Sequence, residues 1–166
     1  MRQHFKSCVL YFSLCLVLAL MVAIFCFSSQ NSEESGALSA RVTAVVLRIV
    51  CPGFERLDAS QQAELFARAG HIVRKAAHFS EFAALGFFLL GFFKALSWKI
   101  PLRRPALVTA VTGALYAVSD ELHQGFVSGR STELLDVVID SAGVLFGILV
   151  MGLLFYLRRK WEDRKT

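Results

Sequence analysis

The chain has 166 residues, 55% of them hydrophobic and 19% charged, with a mean hydropathy of +0.55. Soluble domains run at about 45–50% apolar, so this composition points to the membrane class. It excludes intrinsic disorder, and four Cys are too few for a disulfide scaffold. A net charge of +5 and a pI near 9.3 raise a nucleic-acid reading, which the placement of the charges removes below.

Residues 8–27 carry no charge. As a helix rising 1.5 Å per residue they span about 30 Å, the thickness of a hydrocarbon core. A signal peptide is the alternative. The run exceeds an h-region of about 7–15 residues, and Phe25 and Phe27 make a poor small-residue cleavage site. It is therefore read as a retained first span.

Segment 28–70 is the sizeable soluble stretch. It opens with a polar turn at 28–32, then places Leu38, Val42, Val45, Val46 and Ile49 at helical spacing. This predicts an amphipathic helix over 37–50 lying on the outer membrane surface. Cys51-Pro52-Gly53 ends it. Asp58 with Gln61 three residues later predicts a capping-box start for a second short helix to about Gly70. Simple packing over the ends of the spans is the plainer reading of both helices.

The second span covers 72–93 and holds His78 and Glu81. The third covers 105–127, starting on Pro105, a favoured first-turn residue, with SDELHQ interrupting it near its end. The fourth covers 134–157 and carries Asp136 and Asp140 near its start. The expected fold is an all-α membrane protein: a single domain over 1–166, a four-helix transmembrane bundle with short extracellular amphipathic helices between spans one and two.

Segments 1–7, 94–104 and 158–166 hold eleven of the eighteen Lys and Arg, among them Arg2, Lys6, Arg103 and Arg158, but only two of the thirteen acids. The positive-inside rule puts all three segments, and hence both termini, in the cytoplasm. The basic pI is then topology, and no nucleic-acid partner is expected.

At 100° per residue, His71, Arg74, Lys75, His78, Glu81 and Leu85 share an arc of about 120° on span two. Thr112, Tyr116, Ser119, Asp120 and His123 share a similar arc on span three, with Gln124 at its edge. Glu121 points the other way, so its substitution is expected to be mild. Glu133, Asp136, Asp140, Gly143 and Gly147 share a face of span four, where the two glycines form a small-xxx-small pair. Each ionisable group at membrane depth costs at least about 2.5 kcal/mol on insertion scales. The economical arrangement is a polar, outward-facing pocket walled by spans two, three and four. A structural hydrogen-bond and ion-pair network holding the bundle together is the alternative.

These residues carry a resemblance that covers nearly the whole chain. FSSQ at 27–30, RKAAHFSEF at 74–82 and SDELHQGFVSGRSTELLDVVIDSAG at 119–143 resemble the VanZ-like family of bacterial integral membrane proteins, named for an accessory protein of glycopeptide-antibiotic resistance. Ser128 stands where that family often has Pro before Gly-Arg, and Asp140 where Asn is common. The resemblance implies a multi-pass protein of the bacterial cytoplasmic membrane and a link to teicoplanin-type lipoglycopeptide susceptibility.

Two readings of function stay open. One is a membrane enzyme acting on a lipid or cell-wall-precursor head group. His78 with Glu81 and Asp120 with His123 are its candidate catalytic acid–base pairs, since such work wants a carboxylate and a His in one pocket. The other is a non-catalytic binder or modulator of the cell envelope. Arg74, Lys75, Ser119, Gln124, Arg130, Asp136 and Asp140 are the candidate head-group contacts in either case, with the cations suited to a phosphate. Membrane lipids are the expected partners. No resident cofactor is expected. A metal held by His78, Glu81, Asp120 and His123 is a lesser alternative, suggested by the inward carboxylate/His pairs of di-metal bundles.

Overall fold

The computed structural model describes residues 2–96 and 99–165, with side chains described from Ser7 onward. Arg2 and Lys6, two of the flanking cations, therefore lie outside the described side chains. The described residues form five α-helices: α1 (Arg2–Ser28), α2 (Ser32–Val50), α3 (Ala59–Leu96), α4 (Arg103–Gln124) and α5 (Leu134–Asp163). A single 3₁₀ turn, Phe54–Arg56, joins α2 to α3.

Three of these are long and apolar enough to cross a membrane: α1 over Ser7–Ser28, α3 and α5. Helix α4 has the length, 22 residues, but not the mean hydropathy. Its burial pattern explains why. It turns Thr109, Gly113, Asp120, Glu121 and Gln124 inward and leaves Leu107, Val108, Val111, Leu115, Val118 and Leu122 exposed. The inward polar residues lower the average of a helix whose outer flank is apolar.

Helix α2 begins where the polar turn ends, and its start is a full capping box. Asn31 Oδ1 accepts from Glu34 N at 2.9 Å, and Glu34 Oε2 accepts from Asn31 N at 3.3 Å. It lies against α3 and buries Thr43 and Leu47. Its apolar stripe of Leu38, Val42, Val45, Val46 and Ile49 stays exposed, the face an interfacial helix offers to lipid.

The second short helix expected to end near Gly70 is instead the beginning of α3, which runs unbroken for 38 residues. A lone Gly costs a helix only about 1 kcal/mol, and no Pro follows it before residue 101. Gly70 sits where α2 crosses: a Cβ there would stand 3.6 Å from Thr43 Oγ1. At 1.5 Å per residue α3 is about 57 Å long, more than a hydrocarbon core spans. The Asp58 start is as read: Asp58 Oδ1 accepts from Gln61 N at 2.9 Å and from Ser60 Oγ at 2.7 Å. The third segment is shorter than expected, since Gly125 ends α4 and 125–127 lie in turns.

Helix α3 packs against every other helix. The core runs along it: Phe82, Leu85 and Leu89 meet Val17 and Ile24 of α1, Ala117 of α4 and Val144 of α5. The closest approach is to α5, through glycines. A Cβ on Gly143 would strike Phe79 O, one on Gly147 would strike Ala83 O, and one on Gly86 would strike Val144 O. Two helix backbones in contact fix the depth at which α3 and α5 present their side chains to each other.

Candidate functional site

The C-terminal end of α1, the middle of α3, the C-terminal end of α4 and the start of α5 converge at one end of the bundle. Four consecutive residues, 27–30, span the end of α1 and the turn after it, and each is used there. Phe27 O accepts from Arg130 Nη2 at 3.4 Å, Ser28 Oγ donates to Asp120 Oδ2 at 2.8 Å, and Ser29 Oγ lies 3.1 Å from His123 Nε2. Gln30 lines a cavity.

Asp120 and Gln124 are one turn apart on α4 and both buried. Gln124 Nε2 donates to Asp120 Oδ2 at 3.0 Å, and Gln124 Oε1 accepts from Arg130 Nη1 at 2.9 Å. A chain of hydrogen bonds thus runs from Ser28 through Asp120 and Gln124 to Arg130, with the amide donating to the carboxylate and accepting from the guanidinium. On the facing helices, Lys75 Nζ of α3 bonds Asp136 Oδ1 of α5 and donates to Glu133 Oε2 at 3.3 Å.

Arg130 is delivered by the loop after α4. Arg130 N donates to Val127 O at 3.2 Å, closing a four-residue turn whose third residue, Gly129, has φ +76°. That conformation strains any side-chain-bearing residue and is the signature of a type II turn, in which Pro is favoured at the second position. Ser128 holds that second position here. The turn also leans on α2: Ser32 N donates to Ser128 O at 3.4 Å, and a Cβ on Gly129 would stand 3.0 Å from Ser32 Cβ. Burial, and next the charge of Arg74, pull the Arg130 guanidinium below its ordinary pKa.

Two small cavities open here. One, of about 60 Å³, is lined by Arg74, His78, Gln124, Arg130, Glu133 and Asp136 among others. The second, of about 100 Å³, is lined by Gln30, Arg74, His78, Glu81 and Arg130 together with residues of α2. Arg74, His78 and Arg130 line both. Arg74 forms no hydrogen bond or ion pair with any described residue.

The structure therefore brings together Arg74, Lys75, His78, Glu81, Asp120, Gln124, Arg130, Asp136 and Asp140, and sets two of the sequence-identified residues apart. His123 shares a helix face with Asp120, but its ring stacks on Phe25 at 4.5 Å between centroids and its Nε2 faces Ser29. Ser119 is exposed and donates to its own helix, to Tyr116 O at 2.8 Å. Tyr116 in turn donates to Met21 O at 2.7 Å.

Two residues escaped the sequence reading. Ser28 lay in the FSSQ segment that carries the family resemblance, but nothing in the sequence singled out its side chain as a site contact. Glu121 was placed on the outer side of α4, yet it is 2% exposed, and its Oε1 accepts from Glu133 N at 2.5 Å. The turn of 125–133 folds back over α4 and covers the side that helical phase alone leaves open.

Comparison with known proteins gives one finding. The VanZ-LLP1 family model, described as VanZ/LLP1, matches residues 12–156, and the chain belongs to that family. No curated protein and no solved structure matches the chain.

Proposed function

We propose that this VanZ/LLP1 protein binds the phosphate-bearing head group of a lipid or lipid-linked wall precursor in the cavities lined by Arg74 and Arg130. One observation carries the reading: two guanidinium groups face the same small cavities, and Arg74 makes no salt bridge with any described residue. Like charges held together at a membrane surface call for an anion, and a phosphate accepts from guanidinium in a bidentate fashion. Glu81, His78 and Gln124 add polar contacts on the same walls.

In this reading α1, α3, α4 and α5 cross the bacterial cytoplasmic membrane, both termini are cytoplasmic, and the cavities open at the outer face. The apolar flank of α4 and the basic residues at the other end of the bundle, Lys94, Arg103, Arg158 and Arg159, support that placement. The exposed stripe of α2 then rests in the outer interface beside the cavities. Holding a head group there gives the protein its bearing on lipoglycopeptide (teicoplanin) susceptibility.

The test is native mass spectrometry of protein extracted in mild detergent. Wild type should retain a phosphate-bearing lipid. Arg74→Gln, at equal abundance, should weaken that retention by roughly 10–100-fold, the value of a hydrogen bond to a charged group. Equal retention by Arg74→Gln, or retention only of lipids without phosphate, overturns the reading.

A further inference from the structure

Below the two arginines, three side chains from three helices converge without satisfying one another. His78 of α3, Asp120 of α4 and Asp140 of α5 each bring one ligand atom within 4.8 Å of the others. Asp140 is fully buried, and neither of its oxygens has a hydrogen-bond partner. His78 Nδ1 is likewise buried and unpartnered, and stands 4.0 Å from Asp140 Oδ1. That gap is too wide for a hydrogen bond, which needs about 2.7–3.2 Å.

A buried carboxylate demands a partner, and the nearby side-chain cations do not supply one. Lys75 is committed to Glu133 and Asp136, and Arg130 donates to Gln124 and to Phe27 O. Arg74 makes no ion pair with any described residue. Asp120 is differently placed: Ser28 and Gln124 both donate to its Oδ2, which orients the carboxylate and leaves Oδ1 for another ligand.

We propose that His78, Asp120 and Asp140 ligate a divalent transition-metal ion of the zinc or manganese type. The donor set, one imidazole and two carboxylates, suits these ions, and its two negative charges balance the ion. Two ligands at about 2.1 Å from one ion stand at most about 4.2 Å apart. That limit is for ligands on opposite sides of the ion; in a tetrahedral site they stand about 3.4 Å apart. The 4.0 Å between His78 Nδ1 and Asp140 Oδ1 therefore closes by about half an ångström, and the other separations, all within 4.8 Å, close by at most about 1.4 Å. Ser28 and Gln124 serve as the outer partners that hold a ligating carboxylate in place. The ligand set differs from the one the spacing suggested: Asp140 enters, Glu81 drops out, and His123 is drawn off to Phe25 and Ser29. His78 lines both cavities, so the ion sits at their floor, within reach of an anionic head group. That last placement rests on the head-group reading; the ion site does not.

The experiment is metal analysis of the purified full-length protein in detergent, followed by chelation and titration with Zn²⁺ and with Mn²⁺. Wild type should bind one of these ions at an equimolar ratio, and chelation should lower its melting temperature. Asp140→Asn is nearly isosteric and should lose binding by more than the roughly 10–100-fold that loss of an outer partner costs. His78→Gln should do the same and stands in if Asp140→Asn fails to fold. Arg74→Gln should keep the ion while losing the lipid, so the two proposals fail separately. Wild type that binds neither ion, or variants that bind as wild type does, would overturn the metal site.

Discussion

Gly147→Ala adds one methyl group where α5 touches α3, and the structure sets its cost. The new Cβ would stand 2.6 Å from Phe87 N and 3.0 Å from Ala83 C, and closer still to Ala83 O. Favourable carbon contacts lie at about 3.5–4.0 Å, so the two helices must separate by roughly 1 Å. The obstructing atoms are backbone, and no rotamer change relieves them. Overpacking of this kind costs about 1–3 kcal/mol. For a chain of this size that is a fall in Tm of roughly 2–12 °C. Thermal melting in detergent, followed by circular dichroism, measures it. Gly36→Ala is the control, since nothing lies within 4 Å of a Cβ there and its helix gains from the better helix former. If Gly147→Ala melts with wild type, the α3–α5 backbone contact is not what holds these helices together.

Glu121→Ala should destabilise the protein by about 1–3 kcal/mol, because Glu133 N loses its acceptor, whereas Glu121→Gln keeps an acceptor and should cost less; equal melting of both variants with wild type would remove Glu121 from the loop's support. A membrane-impermeant maleimide should label Cys51 in intact cells and spare Cys8, Cys15 and Cys26, all three exposed on the flank of α1 that faces lipid in this reading. Protection of Cys51 together with labelling of a cysteine appended after Thr166 would invert the topology. Asp58 carries a pH dependence. Its carboxylate is held below the ordinary value of 3.8, first by the Gln61 N–H and next by the Ser60 hydroxyl. A lowered folded pKa means that the cap contributes fully above about pH 4 and is lost as pH falls through the folded value. Protection factors in the first turn of α3, which divide out the intrinsic pH dependence of amide exchange, should therefore fall in acid, and Asp58→Asn should abolish that fall; a turn equally protected above and below the folded pKa sinks the assignment.

Hydropathy and helical phase are properties of a chain segment alone, and the features that depend on them were legible in the sequence. The apolar runs inside α1, α3 and α5, the Asp58 capping box and the inward face of Gly143 and Gly147 are of this kind. So is the joint placement of Arg74, His78, Asp120 and Asp140 at one end of the bundle, because each lies on the polar stripe of its helix. Phase says which residues share a face, but not which atoms meet. Asp120 and His123 are three apart, yet Asp120 bonds Ser28 and Gln124 while His123 stacks on Phe25. The end of α1 lies between them, and its position is set by packing ninety residues away in sequence. Glu121 is buried where the chain after the Gly129 turn brings Glu133 N back to its carboxylate. The short helix expected to end near Gly70 and the second span expected from residue 72 form one continuous helix, since a lone Gly costs a helix only about 1 kcal/mol and α2 packs against this one. Helical periodicity, a local matter, was enough to group the polar residues of each helix, though it put Glu121 on the wrong side. Which buried groups satisfy one another was decided by long-range contacts, and the atoms left unsatisfied among the described residues, those of His78 and Asp140 together with Glu121 Oε2, became visible only once those contacts were formed.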